Sequence, residues 1–111
     1  MIDSDETLLE VSVEHTAVAM ADGSAQVVDV REPYERDAGH IVGTFHIALG
    51  ELASHAEALE RERPVIFYCH SGSRSLMAAA AFRQAGFEAY SMAGGIEAWE
   101  QEGRPVRTDG P

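Results

Sequence analysis

Short apolar runs alternate with amphipathic stretches along the chain, and most junctions between them carry Gly, Pro, Asp or Ser. Leu8–Val11 reads as a short strand. Ser12 stands as the N-cap of a helix running to about Met20, with Glu14 in its first turn and Asp22-Gly23 ending it. Ala25–Val30 (Ala-Gln-Val-Val-Asp-Val) is rich in β-branched residues and predicts the first strong strand. Pro33 opens a helical turn through about Ala38, stopped by Gly39. Thr44–Ile47 supplies another strand, and a helix is expected after Gly50, near Glu51–Glu60. Pro64–Tyr68 is almost wholly apolar, the pattern of a strand buried on both faces. Ser73–Ala85 predicts a helix closed by Gly86, and Glu88–Met92 a last strand. Gly94-Gly95 then leads into a short helix, Ile96–Gln101, with Gly103 and Pro105 beyond it.

Strands that alternate with helices across short connections imply a parallel sheet covered on both faces. Ligands of such sheets bind in the crevice at the carboxyl ends of the strands, which directs attention to the residue after Tyr68, namely Cys69. No internal repeat, low-complexity tract or linker breaks the pattern, so the expected organisation is a single domain over residues 1–111 with an ordered core of about 7–107. The 111 residues suffice for one core that buries roughly two thirds of the unfolded chain's surface. Fraying is expected at Met1–Glu6 and Thr108–Pro111.

Composition narrows the function. Nineteen Asp and Glu face eight basic residues, all of them Arg, for a net charge of −11. That balance argues against a nucleic-acid backbone or an anionic membrane surface as partner. It also predicts self-repulsion at low salt, with a monomer or weak dimer as the expected state. A coding bias toward Ala, Gly and Arg would remove Lys, whereas adaptation to a salty cytoplasm would add carboxylates. The second is the expectation adopted, and thermal melts at rising KCl test it. The lone Cys69 excludes a disulfide framework and a multi-thiolate zinc site. The five His (15, 40, 46, 55 and 70) show no ligand spacing, and no second Cys joins them, so a metal site is not expected. The longest apolar runs fall far below the ~20 residues that span a bilayer. The acidic N-terminus does not read as a signal or transit peptide, and the expected location is the cytoplasm.

The segment Cys69-His70-Ser71-Gly72-Ser73-Arg74-Ser75 runs from the most buried strand into the strongest helix. Backbone N–H groups of such a loop and first turn converge on one point, and the helix dipole adds positive charge there. Gly72 permits torsions that a side chain forbids. Ser71, Ser73 and Ser75 offer hydroxyls, and Arg74 a permanent charge. A sulfur above this ring should ionise below the free-cysteine pKa of ~8.5. The bland alternative is an inert, buried cysteine at the end of an apolar strand. A merely structural turn, however, does not require Gly, three Ser and Arg in six residues.

Three stretches together resemble the single-domain rhodanese-like sulfurtransferases over nearly the whole chain. They are Val28-Asp29-Val30-Arg31-Glu32-Pro33-Tyr34-Glu35 with Gly39-His40-Ile41, the loop Tyr68–Ser75, and Gly86-Phe87 with Gly94-Gly95-Ile96-Glu97-Ala98-Trp99. One departure is Val42, where the family commonly has Pro; it lies in a connection, away from the chemistry. The resemblance implies an α/β three-layer sandwich with a mostly parallel five-stranded sheet and helices on both faces. It implies that Cys69 takes the outer sulfur of a small anionic donor such as thiosulfate, forming a persulfide. A thiol, cyanide or a protein acceptor then removes that sulfur, in a ping-pong scheme that needs no cofactor. His70, Ser71, Gly72, Ser73, Arg74 and Ser75 would cradle donor and persulfide. Asp29 and Arg31 would be a supporting pair near the crevice, with Arg31 also a candidate donor contact.

Two rival functions share parts of this pattern. Phosphatases and arsenate reductases of the related fold place five residues between Cys and Arg and usually a His before the Cys; here four intervene and Tyr68 precedes. A non-catalytic binding module of the same fold would generally lack the cysteine. Elsewhere, His40 is expected to tether its loop by a hydrogen bond, and His70 is a candidate to face the donor. Glu51, Glu57, Glu60 and Glu62 read as a solvated face, and Ile96 and Trp99, spaced i and i+3, as core-facing.

Overall fold

The computed structural model describes residues 9–108. Five strands form one sheet: β1 (Glu10–Val11), β2 (Gln26–Asp29), β3 (Phe45–His46), β4 (Val65–Tyr68) and β5 (Ala89–Met92). Their order across the sheet is β1-β5-β4-β2-β3, and every pairing is parallel. The described residues also form four α-helices: α1 (Val13–Asp22), α2 (Pro33–Ala38), α3 (Ser73–Gln84) and α4 (Gly95–Gln101). Of these, α1, α3 and α4 pack on the sheet, whereas α2 buries none of its residues. Leu8 and the expected frayed stretch Met1–Glu6 lie outside the described residues, as does all but Thr108 of the expected frayed stretch Thr108–Pro111.

Alternation along β4 builds both layers of the core, because successive side chains leave a strand on opposite faces. Val65, Phe67 and Cys69 join Ala78, Ala79 and Phe82 of α3, together with Leu52, Leu59 and Phe87. The rings of Phe67 and Phe82 meet edge to face at 5.1 Å between centroids. Ile66 and Tyr68 point the other way, into Val13 and Ala19 of α1 and Ile96 and Trp99 of α4. A full-length apolar run was the signature of this central strand, and all four of its residues are buried. Cys69 therefore continues the α3-facing row, one residue past the strand.

Ser12 caps α1 as its position suggested, its Oγ accepting the His15 N–H at 2.9 Å. The expected helix over Glu51–Glu60 is not α-helical. Two 3₁₀ segments, Leu49–Glu51 and Ala53–Ala58, take its place, with a non-helical backbone at His55. The Glu51 carbonyl, which an α-helix would pair with the His55 N–H, instead meets Ser54 Oγ at 3.1 Å and His55 Nδ1 at 3.0 Å. The His55 N–H turns to Leu52 O. Local side-chain hydrogen bonds of this kind compete directly with helix. Glu51, Glu57, Glu60 and Glu62 are nonetheless all exposed.

Candidate active site

The Cys69 loop is held from outside so that its amides turn inward. At the start of α4, the Ile96 N–H donates to Cys69 O at 2.9 Å and the Glu97 N–H to His70 O at 3.0 Å. Helix N–H groups that lack intrahelical partners thus fix the two carbonyls. This approach requires glycine at position 95, where φ is +63° and a Cβ would collide with both carbonyl oxygens. Gly72 has φ +116°, a left-handed conformation that lets the loop turn into α3.

The Cys69 sulfur, in a residue only 1% exposed, lies at the focus of that turn. The Gly72 N–H reaches Sγ at 3.2 Å and the Ser75 N–H at 3.4 Å. Ser75 Oγ stands 3.5 Å from Sγ, 3.1 Å from Gly72 O and 2.7 Å from Ser91 Oγ. Burial is the largest single influence on the thiol and pushes its pKa up. The Ser75 hydroxyl and the N–H groups of Ser75, Gly72 and Arg74 act oppositely, and their sum holds the pKa below the ordinary value. On ionisation, Ser75 can turn its proton to the sulfur while Ser91 donates to Ser75. Ser91, absent from the sequence reading, is a fully buried hydroxyl within an otherwise apolar strand, and that anomaly was its only signal.

Of the remaining loop residues, His70, Ser71 and Ser73 stand exposed on the rim. For His70 it is the backbone carbonyl, through Glu97, that has a fixed role. Arg74 is not a lone cation. Its Nη1 donates to Glu35 Oε1 at 2.8 Å and its Nη2 to Glu35 Oε2 at 2.9 Å, a two-point fork to α2 across 39 residues of chain. The Arg74 guanidinium, followed by the Glu32 N–H, holds the Glu35 carboxyl down at about 2 against the burial that opposes it.

Asp29 and Arg31 form a separate cluster. Arg31 Nε and Nη2 each meet Asp29 at 2.9 Å, and Nη2 also reaches Gly39 O at 2.7 Å. Arg36 Nη1 adds a contact to Asp29 at 3.3 Å, and the Tyr68 hydroxyl donates to the same carboxylate at 3.2 Å. With Arg31 4% exposed and its fork engaged inside the protein, this geometry supports the structural role. His40 pairs its backbone with Arg107 in both directions at 2.8 Å, and its Nδ1 lies 3.3 Å from Arg36 O.

Fold and site define a class of protein: a parallel sheet covered on both faces, presenting one activated cysteine in an amide-lined loop at a helix N-terminus. Residues 12–102 match the rhodanese-like domain family. A thiosulfate sulfurtransferase GlpE from Pseudomonas aeruginosa is 40% identical over 81 residues, which cover 72% of this chain and 74% of that protein. A rhodanese-related protein from Thermoplasma volcanium superposes with a TM-score of 0.82 at 30% identity, covering 90% of this chain and 98% of its own. A Bacillus halodurans protein gives 0.81 at 26% identity, over 94% of this chain and 80% of that one. The chain belongs to the rhodanese-like family.

Proposed function

We propose that the protein is a rhodanese-type sulfurtransferase whose nucleophile is Cys69. The family and the thiosulfate sulfurtransferase relative support sulfur transfer as its general chemistry. The observation that carries the finer reading is the sulfur's own environment: two backbone N–H groups and a serine hydroxyl on Sγ, with the thiol pKa drawn down.

The Cys69 thiolate attacks the outer sulfur of thiosulfate. A new S–S bond forms as the donor's S–S bond breaks, giving a Cys69 persulfide anion and releasing sulfite. A thiophilic anion (cyanide in an assay, the thiolate of a small molecule or of a protein in the cell) then attacks the outer persulfide sulfur, takes it and regenerates the Cys69 thiolate. Charge moves between anions only, so no general base is required. The amides that hold the thiolate serve the persulfide as well, and this fixed electrostatic environment is the main source of rate.

Mass spectrometry after exposure to thiosulfate tests the reading. The wild-type chain should gain the mass of one sulfur atom and lose it on adding cyanide, while Cys69→Ser should gain nothing. No adduct together with turnover of an aryl phosphate would make the protein a phosphatase instead; neither result would leave a binding module.

A further inference from the structure

We propose that Glu35 sets the charge of the sulfur donor: by occupying both terminal nitrogens of Arg74, its carboxylate disfavours doubly charged donors relative to singly charged ones. The inference rests on the sulfur-transfer reading of Cys69.

Glu35 already occupies the end-on pair of Arg74 donors, one N–H from each terminal nitrogen, for which an anionic ligand would compete. Carboxylates and sulfonates engage a guanidinium through the same parallel pair of N–H groups, and here both are engaged at 2.8 and 2.9 Å. The carboxylate is itself fixed, because Glu35 Oε1 accepts the Glu32 N–H at 2.9 Å in a capping box at the start of α2. It is therefore a preset competitor rather than a mobile side chain. The side chains of Glu35 and Arg74 are 18% and 33% exposed, so the pair sits at the surface where an incoming anion can meet it. Arg74 also lies within electrostatic reach of Cys69. Thiolate, guanidinium and carboxylate together sum to one negative charge, so an arriving donor does not meet a net cation. Coulomb repulsion is linear in the donor's charge, so Glu35 penalises a dianion twice as strongly as a monoanion of the same shape.

Glu35→Gln keeps the shape, and its amide oxygen can still accept the Glu32 N–H. Matched probes are thiosulfate and methanethiosulfonate, which carry the same terminal sulfur on two charges and on one. The variant should lower KM for thiosulfate roughly tenfold and for methanethiosulfonate roughly threefold, with kcat little changed, as expected when the logarithm of the effect scales with charge. Glu14→Gln, which removes one exposed charge from α1, should leave the ratio of the two KM values unchanged.

A second readout does not depend on turnover. Protection of Cys69 from iodoacetamide by sulfate should strengthen roughly tenfold in Glu35→Gln, and protection by methanesulfonate roughly threefold. This distinguishes failure of sulfur transfer, which removes only the kinetic readout, from failure of the Glu35 inference. If Glu35→Gln does not fold, Glu35→Asp shortens the arm, breaks the two-point fork and should shift both ratios in the same direction by less. Equal changes for dianion and monoanion, or weaker protection by sulfate in the variant, would overturn the proposal.

Discussion

Asp29 and Glu35 both pair with arginine near the same corner of the fold, and they do so in opposite ways. Asp29 is fully buried at the end of β2, where Arg31, Arg36 and the Tyr68 hydroxyl converge on one carboxylate. Glu35 lies on the surface of α2 and meets one arginine, Arg74, which belongs to the Cys69 loop. The first cluster joins elements of the scaffold: β2 and β4 through Tyr68, and α2 through Arg36. The second joins the scaffold to the site. A buried carboxylate flanked by two guanidiniums cannot be neutralised without leaving cations in a dry environment, whereas a half-exposed pair can be exchanged for a ligand and water. Similar chemistry is architecture in one place and an adjustable boundary in the other.

The contrast breaks most visibly at Asp29. Asp29→Asn should cost about 3–5 kcal/mol of unfolding free energy, because it leaves Arg31 and Arg36 without their carboxylate and turns an amide N–H₂ toward guanidinium donors. Urea unfolding measures this, and a variant with wild-type stability would mean that the buried cluster does not hold the corner. Cys69→Ser should by contrast unfold close to wild type while transferring no sulfur.

Arg74→Ala probes the other cluster. Both proteins should be titrated by the pH dependence of iodoacetamide alkylation. The wild-type midpoint should fall below that of a free thiol, and the variant's should move upward without reaching it, because the Gly72 and Ser75 amides remain. The variant should also lose kcat/KM for thiosulfate. Free-thiol behaviour in both proteins would remove the electrostatic basis of the site.

Acid should sharpen the difference on a smaller scale. The folded-state carboxyl of Glu35 titrates at about 2, below its unfolded value of 4.5. A lowered folded pKa gives stability that is present above the unfolded value and lost as pH falls toward about 2. Solvent screening at this partly exposed pair limits the contribution to about 1 kcal/mol. The stability gap between wild type and Glu35→Gln should therefore narrow between pH 4.5 and about 2, as followed by urea unfolding across that range. A constant gap would show that the ion pair is not what Glu35 contributes.

Salt should give the smallest effect. Thiosulfate is a dianion approaching a protein of net charge −11, and repulsion beyond ~10 Å is largely screened at 0.1 M ionic strength. Moderate NaCl should raise kcat/KM for thiosulfate in wild type, and the positive response should persist in Arg74→Ala. A steady fall with salt would show that attraction inside the loop governs capture of the donor.

Much of this could be read along the chain. The run Val65–Tyr68 is apolar at every position, so its burial on both faces needs no knowledge of neighbours. Ser12 could be assigned as a cap because capping acts within one helical turn. The loop's cradle was equally local: Gly72 supplies the turn and the amides lie within six residues of Cys69. The segment after Gly50 failed for a reason hidden in its side chains. Its spacing suits an α-helix, but Ser54 and His55 capture the Glu51 carbonyl and tighten the backbone to 3₁₀.

What the sequence by itself determined, then, is what depends on neighbours along the chain: the alternation of strands and helices, the covered parallel sheet, and one cysteine at a helix N-terminus. Only the tertiary structure decided which groups meet across it. Strand order brings β5 beside β4, so that Ser91 can reach the Ser75 hydroxyl behind the sulfur. Docking of α4 clamps the Cys69 and His70 carbonyls. The placement of α2 gives Arg74 its partner in Glu35 rather than leaving it a free cation. Hydrogen bonds and close ion-pair contacts form only at short distance and in the right orientation, so they follow distances in space. Separation along the chain carries no trace of them.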